Sequence, residues 1–304
     1  MARGPLSEIG AALGPAGQVV VLSGNHDHHL VEAWMARRAA DGPPAALGTQ
    51  ATVDWRAGEP LSLVAEMLAP AQVSGAYPGL WLRDDVYATH GHYLDLHLTV
   101  PSLERLGAGV MRRVVALNPE GPRSAEDYET VLTPLYAWVH AIAQLADADR
   151  SRVLHGGSVR GWQALTGARR RVRGSAIAAG FPVLVGALNR AGLGPLRAEL
   201  SGPELRRAGL RALEEVVSRL GIRAAHVIFG HTHRAGPLPA NDAAEWRTAA
   251  GAQLVNTGSW VQEPAFLGPD PSQSPYRPGF CVIVEDDAPP RLVNLLDRSR
   301  PDPA

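Results

Sequence analysis

The sequence predicts an α/β fold, a sandwich of two sheets flanked by helices, with a long helical insertion standing over it as a cap. Three observations carry that prediction. Short apolar, β-branched runs recur along the chain, and several end in a cluster of Gly, His, Asn or Asp. The stretch from Pro101 to Ile222 instead spaces its apolar residues at helical intervals, with Pro and Gly between the segments. At 304 residues the chain is long enough to bury one large core. We therefore expect a single domain over 1–304 with residues 101–222 inserted within it.

Taken in order, Gly4 through Gly17 reads as a helix and turn, and Gln18 to Leu22 as a buried strand stopped by Ser23-Gly24. A helix follows over Leu30 to Arg38. Trp81 to Thr89 is the second strand; Trp81, Val86 and Tyr87 favour extended backbone, and Asp84-Asp85 marks a tight turn or bulge. The insertion comes next, with helices over Pro101 to Asn118, Ser124 to Ala148, Val159 to Arg171 and Gly202 to Leu220. Ala225 to Phe229 is the third strand and Gln253 to Asn256 the fourth. Phe280 to Val284 and Arg291 to Leu296 form a closing pair, preceded by a surface loop over Pro264 to Pro278. No internal repeat of fixed period interrupts this order.

Composition narrows the function. Lys plus Arg number 29 against 30 Asp plus Glu, so no global positive field recruits nucleic acid, and no nucleic-acid partner is expected. Cys281 is the only cysteine; within one chain it has no disulfide partner, and its apolar run fits a buried structural thiol in a reducing compartment. No run approaches the roughly 18 uninterrupted apolar residues of a membrane span. The first residues lack the apolar core of a signal peptide. A cytoplasmic protein without a membrane span is the expectation.

The eleven histidines are unevenly spread. Five fall where predicted strands end, in Gly24-Asn25-His26-Asp27, Thr89-His90-Gly91-His92 and Gly230-His231-Thr232-His233, and His28 and His29 directly follow the first of these. Neutral imidazole is a common ligand of borderline divalent metals, and α/β sheets place ligands at the C-terminal ends of their strands. Alone, Asn-His-Asp reads as a helix cap and His-Gly as a turn. Three such clusters in order, each at a strand end, point to a metal site. His231 and His233, two residues apart after a strand, can aim at two adjacent ions, with glycine beside them to let the backbone pass close.

The ordered set resembles the last three motifs of the calcineurin-like metallophosphoesterase family, over Gln18 to about Trp260. The resemblance implies a dinuclear centre of Mn, Fe or Zn, with Asn25, His90 and His231 on the second metal and His233 on the first. It makes His26 the general acid that protonates the leaving oxygen, and Asp27 the residue that orients it. Asn256-Thr257-Gly258-Ser259 resembles an element that supports the site from below. Members of the family also begin with Asp-x-His and Gly-Asp motifs, the second supplying a carboxylate that bridges the metals; neither is found before Gly24, so the chain is expected to be N-terminally truncated relative to the family. The implied activity is hydrolysis of a phosphomonoester, phosphodiester or pyrophosphate bond in a small-molecule or lipid-linked substrate. The alternative is a catalytically inactive metal-binding pseudo-phosphatase or scaffold.

Other polar residues have plainer readings. His28 and His29 open a helix, where capping or support of the site competes with substrate contact. His92 and Asp95 stand within reach of a substrate phosphate or sugar, or make a local turn hydrogen bond. His97, His140 and His226 lie in apolar or helical surroundings and read as structural. Arg169, Arg170, Arg171 and Arg173 supply either phosphate-binding forks or a solvated helix end. His155-Gly156-Gly157-Ser158 lacks the flanking order of a nucleophile elbow or phosphate loop.

Overall fold

The computed structural model describes residues 3–40, 42, 44–100, 103–114, 120–145, 183–191, 193–197, 202–262, 264–268 and 270–297. It is a mixed α/β structure without a barrel. The predicted helix over Val159 to Arg171, the arginines at 169–173 and the 155–158 segment lie outside the described residues, as does the side chain of His140.

Helix α1 (Arg3–Leu13) leads into strand β1 (Gln18–Leu22), and α2 (His29–Ala40) follows the first histidine cluster. Strand β2 (Ala51–Val53), helix α3 (Pro60–Met67) and strand β3 (Gln72–Tyr77) come next, none of them expected from sequence pattern. β3 pairs parallel to β1 and antiparallel to β2 in a sheet of order β1-β3-β2. A side chain at Gly75 would stand 2.9 Å from Val53 Cβ and 3.0 Å from a Leu61 methyl, so its absence lets β3 pack against β2 and α3.

The predicted strand Trp81 to Thr89 is a hairpin. β4 (Gly79–Arg83) turns at Asp84-Asp85 and returns antiparallel as β5 (Val86–Thr89), with a register irregularity between Trp81 and Arg83. β6 (His226–Phe229) pairs parallel to β5, and β7 (Gln253–Asn256) parallel to β6, giving the order β4-β5-β6-β7. β8 (Phe280–Ile283) and β9 (Arg291–Asn294) form the closing antiparallel pair. Cys281 on β8 is only half-buried, less enclosed than its apolar run predicts. The Pro264 to Pro278 loop contains a short helix, α7 (Pro264–Leu267), and a 3-10 turn at Pro271–Gln273.

Arg83 fastens the closing pair to the second sheet. Its Nε donates to Asp85 Oδ1 at 2.5 Å, and its Nη1 reaches the carbonyls of Glu285, Asp286 and Ala288, which connect β8 to β9. Arg83→Ala is expected to raise amide hydrogen exchange several-fold across β8 and β9 while leaving β5 and β6 protected; unchanged exchange in the hairpin would show that apolar packing alone holds it.

The insertion joins the core. Helix α5 (Ala125–Leu145) buries Tyr128, Val131, Leu132, Leu135 and Tyr136, one helical stripe, in the same apolar cluster as Tyr77, Tyr87, Leu213 and Leu254. Helix α4 (Leu103–Val114) packs on α5, and α6 (Gly202–Arg219) packs on the 3-10 turn His92–Leu96. Among the described residues no helix is long and apolar enough to cross a membrane.

Candidate metal centre

The three histidine clusters lie far apart in sequence and meet in space. After β1, Asp27 Oδ1 accepts the Gly24 N–H at 2.5 Å and the Ser23 hydroxyl donates to the Asp27 carbonyl at 2.8 Å, closing a tight loop. Asp27, expected to orient His26, thus spends its carboxylate on the turn that carries His26. His26 is exposed, whereas Asn25 is half-buried. After β5, Gly91 takes a left-handed φ of 99°, and the chain enters the 3-10 turn that draws His92 and Asp95 inward. After β6, His231 and His233 have φ of 63° and 58°, a left-handed conformation uncommon for non-glycine residues and typical of functional loops.

Specific contacts hold these loops together. The imidazole of His90 lies over Gly24, where a Cβ would stand 2.3 Å from both Nε2 and Cδ2 of the ring. The Gly230 N–H donates to the His90 carbonyl at 3.1 Å. The rings of His90 and His231 are centred 5.3 Å apart, those of His90 and His92 5.4 Å apart. Imidazoles that share a tetrahedral ion at about 2.0–2.1 Å from each nitrogen hold their centres about 5 Å apart. Below the third loop, the Asn256 amide donates to the Gly230 carbonyl at 3.0 Å and to the Thr232 hydroxyl at 2.8 Å.

Burial and neighbouring imidazoles favour the neutral forms of His90, His92 and His233. Burial, then the neighbouring His231, His26 and His233, bring the pKa of His90 down to about 3. Burial and the adjacent His90, His231 and His28 also hold His92 well below the ordinary histidine range. The exposed His233 is lowered by partial desolvation and by His231 and His26. His26 is thereby an electrostatic neighbour of both His90 and His233. Neutral imidazole is the form that binds a metal.

His92 and Asp95, expected within reach of substrate, are each only 1 % exposed and have protein partners instead. Asp95 Oδ1 lies 2.7 Å from His231 Nε2, and its Oδ2 accepts from the Tyr136 hydroxyl at 3.2 Å. This is the arrangement in which a carboxylate orients a ligand histidine. His92 Nε2 lies 3.1 Å from the Tyr77 hydroxyl.

Behind them stands a group that the sequence pattern did not reveal. Glu129 on α5 is buried and accepts from the hydroxyls of Tyr77 at 2.6 Å, Tyr93 at 2.5 Å and Thr133 at 2.6 Å, and it pairs with His28 Nε2 at 3.2 Å. Burial alone would raise its carboxyl; the interactions with His28, Thr133 and Tyr77 outweigh burial and hold it below the usual value. The only signal in the sequence is an acidic residue directly after Tyr128 on the apolar stripe of a helix.

Among the described residues no group of three or more His, Cys, Asp or Glu side chains is arranged as a metal cage. The donors that fit an ion are mixed in type. Asn25 Oδ1 and His90 Nδ1 are sealed from solvent without a hydrogen-bond partner, a state that costs about 1–3 kcal/mol per group unless something satisfies it. An amide oxygen and neutral imidazoles suit a borderline divalent cation. Comparison with known proteins finds no matching family model, no matching curated protein and no matching solved structure.

Proposed function

We propose that this chain hydrolyses a phosphoester or pyrophosphate bond in a small-molecule or lipid-linked substrate, with divalent ions held by Asn25, His90, His231 and His233. The observation that supports it most is the meeting of three strand-end loops at one point, with His90 lying against Gly24 and beside His231. Bound Mn, Fe or Zn would supply charge stabilisation of the phosphate oxygens and an activated water. The chain's own residues do the rest. Asp27 shapes the turn that presents the exposed His26, which donates a proton to the leaving oxygen. Asp95 fixes the orientation of His231.

The test is hydrolysis of bis(4-nitrophenyl) phosphate and of pyrophosphate with added manganese, run beside metal analysis. His26→Ala is expected to lower turnover by about 100-fold or more while metal content stays, the scale of lost general-acid catalysis. His231→Ala should lose both. Equal and small effects of the two variants would sink the assignment of roles.

One observation favours the second reading, a metal-binding protein without turnover. Asp95 has both oxygens engaged, by His231 and Tyr136, and Asp27 Oδ1 accepts the Gly24 N–H, so the carboxylates of the three loops serve the protein's own contacts. That reading predicts metal uptake by the wild type with no hydrolysis of either substrate.

A further inference from the structure

We propose that His92 is itself a metal ligand, coordinating through Nδ1, and that a hydrogen-bonded chain starting at Glu129 sets its tautomer. The proposal rests on reading the histidine cluster as a metal site. It adds to that site a fourth imidazole and a device that fixes which of its ring nitrogens carries the proton.

The tautomer follows from counting protons. The Tyr77 hydroxyl has one proton, and it donates this to Glu129 Oε1 at 2.6 Å. The contact between Tyr77 and His92 Nε2 at 3.1 Å must therefore be donated by the imidazole, which places the ring proton on Nε2. Nδ1 is left as a bare lone pair. Glu129 keeps the Tyr77 proton pointed away from His92, because it is an acceptor for Tyr93 and Thr133 as well and pairs with His28. Asp95 orients His231 in one step, its Oδ1 lying 2.7 Å from His231 Nε2.

The bare nitrogen has no partner. His92 is 1 % exposed, and its Nδ1 is buried without a hydrogen bond. His90, two residues earlier across the left-handed Gly91, has its own Nδ1 in the same state, and the two ring centres lie 5.4 Å apart. The Asn25 side-chain amide oxygen Oδ1, on the loop that packs against His90, is a third sealed atom without a hydrogen-bond partner. Native proteins leave few buried polar groups unsatisfied. Three buried polar atoms without a partner, two of them the acceptors Asn25 Oδ1 and His92 Nδ1, are a pattern a cation resolves, and two imidazoles with an amide oxygen select a borderline divalent ion such as zinc or cobalt over magnesium or calcium.

The test uses the full chain stripped of metal and titrated with cobalt(II), followed by calorimetry and by visible absorption, which reports the ligand set without any turnover. Tyr77→Phe keeps the ring and removes the hydroxyl that holds the His92 proton; it should weaken cobalt binding about 10–100-fold, the usual loss when a ligand histidine loses its outer partner. His92→Phe should weaken binding further and alter the absorption bands. His97→Phe, on a histidine that bonds Tyr128 instead, should change neither. Wild-type affinity and bands in folded Tyr77→Phe and His92→Phe would overturn the proposal and give Nδ1 to a buried water. If His92→Phe does not fold, Tyr77→Phe decides. A wild type that takes up no cobalt would instead remove the metal centre as a whole, a result distinct from binding that ignores His92.

Discussion

Replacing Gly24 with alanine is expected to destabilise the protein by about 1–3 kcal/mol, the range for forcing extra carbon into a packed site, and to weaken divalent-metal binding more than tenfold. The new Cβ would stand 2.3 Å from His90 Nε2 and Cδ2 and 2.6 Å from Cε1, far inside any real contact. Neighbours restrict the ring: His92 and His231 have their centres 5.4 and 5.3 Å away, and the His90 carbonyl accepts the Gly230 N–H. The loop carrying Asn25 and His26 must therefore move off the other two. Gly202→Ala is the control, because a Cβ there meets nothing within 4 Å. Urea unfolding and cobalt titration of the two variants separate the outcomes: a Gly24→Ala protein with wild-type stability would mean that the loops do not pack as described, whatever metal they bind.

That contact was not legible in the sequence, although both its partners were singled out. Gly24 and His90 each stood in a recognisable cluster, but that the glycine exists to admit the histidine is a property of the packed loops. The same division runs through the fold. β1, β6 and β7 were predicted within a residue of their bounds, since Gln18–Leu22, His226–Phe229 and Gln253–Asn256 are runs rich in β-branched or other apolar residues and pair with one another or with the core. β3 was invisible for the opposite reason. Its Ser74 and Gly75 are poor strand formers, and the strand exists because Gly75 lets Val53 and Leu61 close over it while β1 pairs along its length. Of the site, the three clusters were legible because imidazole and amide side chains recur at strand ends. The layer behind them was not: Glu129 takes its partners Tyr77 from 52 and His28 from 101 residues away, and no local spacing records such a contact.

Glu129→Ala is expected to cost about 3–5 kcal/mol, the largest stability effect of any variant considered, because it leaves buried donors rather than an empty space. Tyr77, Tyr93 and Thr133 each lose the acceptor of a hydroxyl, and His28 loses the carboxylate it pairs with. The pH dependence distinguishes this account from simple cavity formation. The Glu129 carboxyl sits below its ordinary value of 4.5 in the folded protein, so the stability it contributes is fully present above that value. It is lost as pH falls through the lower folded pKa, where the native carboxylate takes up its proton. The difference in unfolding free energy between wild type and Glu129→Ala should therefore be flat near neutrality and shrink below pH 4.5. A difference that stays constant into acid would assign the cost to lost packing volume, and would leave α5 joined to the histidine cluster by apolar contacts alone. A shrinking one would make the carboxylate the element that ties α5 to the histidine loops, through Tyr77 to His92 on one side and His28 on the other.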